Sequence, residues 1–297
     1  MLTIEKYAAI DIGSSAIRLL ITTIIEQEGK ETQFKKASLV RVPIRLGTDV
    51  FLNGKISKKN YLRIVDALMA FRLLMKTHNV VRYRACATSA MREALNGKKI
   101  VENLYKETDI KIEIIDGNDE AAIIATADII SHINNDKAFL YVDVGGGSTE
   151  LTIFVSGLFV NSRSFDLGTI RLVNNKVEDS VWKDMKDWII TNTSDIPQIC
   201  LLGTGGNINN TYKNSGKKIG EPLSYLYLST YYKNIKAMTY EERIVNLNMN
   251  PDRADVIVPA IKIYLSAMKW SRAKDMYVPK IGLSDGIIRS LYKNKNQ

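Results

Sequence analysis

A chain of 297 residues, 45% hydrophobic and 25% charged, is long enough for two cores and has a globular composition, which excludes a disordered or fibrous protein. Two cysteines and two histidines exclude a disulfide scaffold and a zinc cage and count against histidine-based catalysis, leaving carboxylates to handle protons. The net charge of +9 favours anionic ligands, but no basic, aromatic-studded helix marks a specific nucleic-acid binder, and no apolar run is long enough to span a membrane.

The opening residues MLTIEKYAAIDIG lack the basic flank and cleavage site of a signal peptide, so a cytoplasmic protein is expected. Residues 7–25 read as a hairpin: an apolar run ending in Ile10-Asp11-Ile12, a Gly13-Ser14-Ser15 turn, and a second apolar run. Alternation continues over 32–45 into Arg45-Leu46-Gly47-Thr48. Ser57 opens a helix with Tyr61, Ile64, Val65, Leu68, Phe71 and Met75 on one face. A strand at 80–88, helices at 89–95 and 98–108, and a strand at 110–115 follow, then a helix over 119–133. The same hairpin motif returns 132 positions after the first as Val142-Asp143-Val144-Gly145-Gly146-Gly147-Ser148-Thr149. Beyond it come a strand at 159–165, a helix at 181–191, a strand at 198–202, mostly helix over 229–271 that Pro259 should kink or split in its last section, and a last strand at 278–283. Ser284-Asp285 caps a terminal helix. Strands and helices alternate throughout, which means an α/β layered architecture.

Each hairpin puts a carboxylate at a strand end beside a turn whose small residues let backbone N–H groups approach an anion, an arrangement suited to holding a metal and a phosphate together. Asp11 and Asp143 are equivalent by the repeat and are candidate Mg²⁺ ligands. Glu150, on the return strand after Asp143, either faces the same metal or is a solvated strand residue. Gly13-Ser14-Ser15 and Gly145-Gly146-Gly147-Ser148 are candidate phosphate loops, since consecutive glycines permit positive φ and let several N–H groups converge on one anion. Gly205 and Gly206, in Gly203-Thr204-Gly205-Gly206, form a third before a helix. No G-x-x-x-x-G-K-[ST] run exists, and no G-x-G-x-x-G follows the first strand, which excludes a P-loop NTPase and counts against a Rossmann site. Asp119 and Glu120, in Gly117-Asn118-Asp119-Glu120-Ala121, are either helix first-turn residues or, for Glu120, a general base for water. Arg92 is an exposed helix arginine or a phosphate grip.

Together these segments resemble the exopolyphosphatase and guanosine pentaphosphate phosphohydrolase family of the actin-like superfamily. The resemblance rests on AAIDIGSSAIRLLI at 8–21, RLG at 45–47, ATSAMREALN at 87–96, IEIIDGNDEA at 112–121, YVDVGGGSTEL at 141–151, GTGG at 203–206, RADVIVPA at 253–260 and LSDGIIR at 283–289. It implies two ribonuclease H-like (actin-like) domains, 1–124 and 125–297, around an interdomain cleft, with the terminal helix 284–297 packing back on the first. It implies Mg²⁺-dependent release of terminal phosphate from polyphosphate or guanosine pentaphosphate, and a homodimer. Position by position, it places the catalytic glutamate at Glu120 and the supporting arginine at Arg92. The metal carboxylates fall on Asp143, Glu150 and Asp11, and the phosphate loops on Gly13, Ser14, Ser15, Gly145, Gly146, Gly147, Ser148, Gly205 and Gly206. Ser15 stands where the family has asparagine, Asp119 where it has glutamate, and Pro259 where it has a small residue. Longer members carry further C-terminal helical domains, so only a modest preference for long chains is expected. The competing classes are an actin-superfamily phosphotransferase, a non-catalytic sensor of a phosphorylated signal, and a filament protein.

Overall fold

The first hairpin folds as β1 (Leu2–Ile12) and β2 (Ile17–Gln27), antiparallel, with Ile12 opposite Ile17 beside the turn. The computed structural model describes residues 1–126 and 137–296, of which 125 and 296 by backbone only. β3 (Gln33–Val42) adds to β2 at the sheet edge, where the exposed Lys35 and Lys36 discourage further pairing. There follow α1 (Leu46–Asn53), α2 (Lys58–Thr77), β4 (Arg82–Ala87), α3 (Ser89–Glu93), α4 (Gly97–Thr108), β5 (Ile112–Ile114) and α5 (Gly117–Thr126). The Ser57 hydroxyl caps α2 by accepting from the Asn60 N–H, and Ile64, Val65, Leu68, Phe71 and Met75 are buried on its inner face. Each such side chain contributes about 1.5–3 kcal/mol on burial.

The second hairpin is β6 (Ala138–Val144) and β7 (Thr149–Val155), with β8 (Leu158–Phe165) alongside. Then come α6 (Thr169–Val173), α7 (Asp179–Thr193), β9 (Ile199–Thr204), α8 (Gly206–Asn214), β10 (Leu223–Ser224), α9 (Tyr225–Ala237), α10 (Tyr240–Asn246), α11 (Pro251–Ala254), α12 (Ile257–Ser271), β11 (Asp275–Tyr277) and α13 (Leu283–Lys293).

The chain forms two units. The first comprises Met1–Ala127 and Leu283–Gln297, the second Asp128–Gly282. In the first, the sheet order is β3-β2-β1-β4-β5, and α13 packs on α5, β1 and β4. In the second, the order is β8-β7-β6-β9-β11, with β10 added beyond β11. The sense of each pairing also matches: antiparallel on the hairpin side, parallel where β4 and β9 join the central strand. The repeated motif is therefore the visible part of a repeated sheet. Each unit has its own apolar core, one built around Ile10, Leu19, Leu68 and Phe71, the other around Leu140, Val142, Leu201 and Ile261.

Three local expectations change. The last strand is Asp275–Tyr277 and not 278–283, because Pro279 has no N–H to continue the ladder. Pro259 lies in the first turn of α12, where a missing N–H costs no helical bond, so the chain breaks before it. The alternation expected over 32–45 ends at Val42, and Leu46–Asn53 is α1, entered through Arg45 in the left-handed region at φ 59°. The helix expected over 119–133 is α5 as far as Thr126, and the rest lies outside the described residues. Among the described residues no helix is long and apolar enough to cross a membrane.

Candidate active site

The two hairpin turns are built alike. In the first, the Gly13 N–H donates to the Ala16 carbonyl at 3.1 Å; in the second, Gly145 donates to Ser148 at 2.9 Å. A Cβ on Gly13 would lie 3.3 Å from the Ala16 oxygen, and one on Gly145 3.1 Å from the Ser148 oxygen. These glycines are required by closeness. Neither turn uses the positive φ that glycine permits; Gly205 does, at 112°.

The carbonyls of the second turn all point one way. Those of Gly145 and Gly146 accept from Thr169 and Ile170 at the start of α6, and that of Gly147 accepts from the Arg171 Nε at 2.7 Å. In a trans peptide the C=O and the following N–H are opposed, so the amides of Gly146, Gly147 and Ser148 face the other way, together. The first turn repeats the device: Ser14 and Ser15 carbonyls accept from Gly47 and Arg45 at the start of α1. Both clamps come from a Leu-Gly-Thr segment, Leu46-Gly47-Thr48 and Leu167-Gly168-Thr169, a second repeat that sequence inspection could have found.

The carboxylates differ between the units. Asp11 and Asp143 are each the penultimate residue of a central strand, but Asp11 is in register with Arg18, whereas Asp143 is in register with Glu150. Arg18 Nη1 holds Asp11 Oδ2 at 2.5 Å, and Asp11 is almost fully buried. In the second unit two acids stand side by side on one sheet face, with Cβ atoms about 4.5–5.5 Å apart. Glu150 is buried and accepts from the Ser164 hydroxyl at 3.0 Å; Asp143 is half-buried. An all-oxygen pair beside a row of amides suits a hard divalent cation that keeps few protein ligands. Among the described residues no group of three or more His, Cys, Asp or Glu gathers, so no closed metal cage is present there.

Around the first turn, Ser14 and Ser89 share a hydrogen bond at 2.8 Å, tying it to the start of α3. From α3, Arg92 Nη1 donates to the Ile115 carbonyl at 2.8 Å, just before the segment that leads to Glu120. Glu120 lies in the first turn of α5, together with Asp119. The Asp116 carboxylate accepts from the Asn118 and Asp119 N–H groups at 2.8 Å, and Asp119 reaches back to the Asp116 N–H at 3.4 Å. This reciprocal cap is complete without Glu120, which is 8% exposed. Burial pushes the nearby Cys86 thiol up to about 12, with Asp11 and Glu120 adding to the rise, so Cys86 is no thiolate nucleophile.

Gly205 and Gly206 begin α8. A Cβ on Gly206 would lie 2.2 Å from Arg253 Nη1, so the guanidinium rests against the glycine backbone at the positive end of that helix. Two electropositive features meeting there call for an anion. Arg253 and Arg18 were not singled out from the sequence. Arg18 was legible as the counterpart of Glu150 in the repeat; nothing local marked Arg253.

A sequence model of the Ppx/GppA phosphatase family matches residues 24–190, more than half of the chain. A bifunctional 3-dehydroquinate synthase/phosphatase of Fusobacterium nucleatum is 27% identical over 285 residues, covering 86% of this chain; the chain spans only 43% of that relative's length. Exopolyphosphatase 1 of Mycobacterium tuberculosis is 22% identical over 304 residues, 95% of this chain and 87% of its own. Among solved structures, the Aquifex aeolicus member of the Ppx/GppA family superposes with a TM-score of 0.77 at 24% identity, over 99% of this chain and 100% of that one. An exopolyphosphatase from Cytophaga hutchinsonii gives 0.79 at 24% identity, over 98% of each. The actin-like pair of α/β domains is thus the fold of this chain.

Proposed function

The chain belongs to the Ppx/GppA phosphatase family, and from that membership we propose that it hydrolyses the terminal phosphoanhydride bond of inorganic polyphosphate. The amides of Gly146, Gly147 and Ser148 and the Gly206–Arg253 pair bind phosphoryl oxygens, and the Gly13-Ser14-Ser15 turn binds others through its own outward amides. Glu120 orients a water and takes its proton as the water oxygen bonds to phosphorus and the bond to the leaving phosphate breaks. Arg92 is the further phosphate contact from α3.

Asp143 and Glu150 would hold Mg²⁺, and Asp11, paired to Arg18, is a further candidate carboxylate for it. When bound, that ion supplies charge neutralisation for the phosphoryl oxygens. The observation that carries the reading is the Asp143–Glu150 pair set beside a turn whose Gly145, Gly146 and Gly147 carbonyls are taken up by the start of α6. Guanosine pentaphosphate is the second substrate of the same chemistry, and the curated relatives named for exopolyphosphatase activity favour polyphosphate. Phosphate release from polyphosphate, guanosine pentaphosphate and ATP, side by side with Mg²⁺, tests the choice. Fastest release from polyphosphate is expected; release from ATP alone would overturn it.

A further inference from the structure

Under Asp143 the second unit carries a line of hydroxyls that the first unit lacks. Tyr141 lies two residues before Asp143 on β6, so both side chains leave the same face of the sheet, and Thr204 stands opposite Asp143 on β9. Tyr141 is fully buried. Its hydroxyl accepts from Thr204 Oγ1 at 2.7 Å and donates to Asp143 Oδ2 at 3.5 Å. On α12, the equally buried Tyr264 donates to the Thr204 carbonyl, holding that strand end in place.

A phenol has one proton to give. Because Thr204 donates into the Tyr141 oxygen, the Tyr141 proton is left for Asp143. The first unit has none of this: Ala9 occupies the place of Tyr141, Cys86 stands opposite Asp11, and Arg18 holds the carboxylate instead. The repeat therefore sets different groups at matching places, the Arg18 guanidinium on Asp11 and the Tyr141 hydroxyl on Asp143. A neutral donor orients a carboxylate without cancelling the charge a metal needs.

We propose that Tyr141 is a positioning residue: its hydroxyl, aimed by Thr204, fixes the orientation of the Asp143 carboxylate that would hold the divalent cation. The proposal rests on the reading of Asp143 as a metal ligand. At 3.5 Å the contact is long, and hydrogen bonds around catalytic groups commonly tighten only when the site is loaded. Partners of this kind hold ligating carboxylates in place, and their loss weakens metal affinity about 10–100-fold.

The test is Mn²⁺ binding to the whole chain without substrate, read from the electron paramagnetic resonance signal of the free ion. Tyr141→Phe, which removes only the hydroxyl, is expected to weaken binding about tenfold. Thr204→Val should weaken it in the same direction, Thr204→Ser should keep wild-type affinity, and Tyr141→Phe with Thr204→Val should be no worse than Tyr141→Phe alone. Tyr141→Phe binding like the wild type while Asp143→Asn does not bind would overturn the proposal and leave the metal site standing. Equal binding by Asp143→Asn and the wild type, or no binding by the wild type, would bring down the metal reading itself. Should Tyr141→Phe fail to fold, equal affinities for Thr204→Val and Thr204→Ser would overturn the proposal.

Discussion

Asp143 and Glu150 stand directly opposite one another across β6 and β7, two acids on one face of the sheet. At the corresponding place in the first unit Asp11 faces Arg18 and is ion-paired to it. The repeat is symmetric in backbone and asymmetric in charge. Asp143→Asn should therefore raise the Mg²⁺ half-saturation of activity at least about tenfold. Asp11→Asn should instead lower the maximal rate with a smaller change in half-saturation, since it strips Arg18 of its partner. Mg²⁺ titrations of both variants check this, and identical shifts would mean that the two carboxylates do the same job.

Glu120→Gln should lower turnover about 10²–10⁴-fold, the usual contribution of a positioned acid or base, with the melting temperature unchanged. Asp116→Ala should do the reverse, costing about 1 kcal/mol of stability through loss of the α5 cap. Thermal melts and rates measured on both variants separate the roles. A stability loss confined to Glu120→Gln would make that residue the cap after all.

Gly206→Ala puts a methyl where the Arg253 guanidinium lies and must displace it. With a charged hydrogen bond worth about 1.5–3 kcal/mol, KM should rise about 10–100-fold. Arg253→Ala should do the same, and the double variant should be little worse than either. Fully additive losses would show that the glycine and the arginine act separately.

How far the sequence revealed this site depended on how local each feature is. The hairpins were legible because apolar runs broken by Asp-Gly carry their own turn chemistry, and the repeat tied Asp11 to Asp143. The helix α1 was not, because Arg45 enters it in the left-handed region with no side-chain cap to announce it. A further reason for the glycines was not legible: at Gly13 and Gly145 a Cβ would crowd a carbonyl across the turn, a contact visible only in three dimensions. Arg253 reaches Gly206 from a distant helix, so no local pattern could place it. The first turn of α5 was legible in Asp119 and Glu120, whereas the part played by Asp116, which accepts from the Asn118 and Asp119 N–H groups, was not.

Acid should test a structural carboxylate away from the site. Burial acts to raise the Asp49 carboxyl, but the Ser57 hydroxyl and N–H and the Asn60 amide outweigh it and hold Asp49 below its ordinary value. A folded-state value below the unfolded one gives stability that is present above the unfolded value, about 3.9, and lost as pH falls through the folded one. Urea unfolding should show the wild type losing more stability than Asp49→Asn between about pH 5 and pH 2.5. Equal losses would mean that the contact adds nothing.

The central claim is that water, activated by this chain, takes the terminal phosphoryl group of polyphosphate. Hydrolysis in ¹⁸O-labelled water with Mg²⁺, followed by mass spectrometry of the products, tests it most directly. The account predicts orthophosphate released one unit at a time from the chain end, each first-cleaved phosphate carrying a single labelled oxygen, and near silence from Glu120→Gln. Internal cleavage, transfer of unlabelled phosphate to an added acceptor, or labelled release undiminished in Glu120→Gln would contradict it.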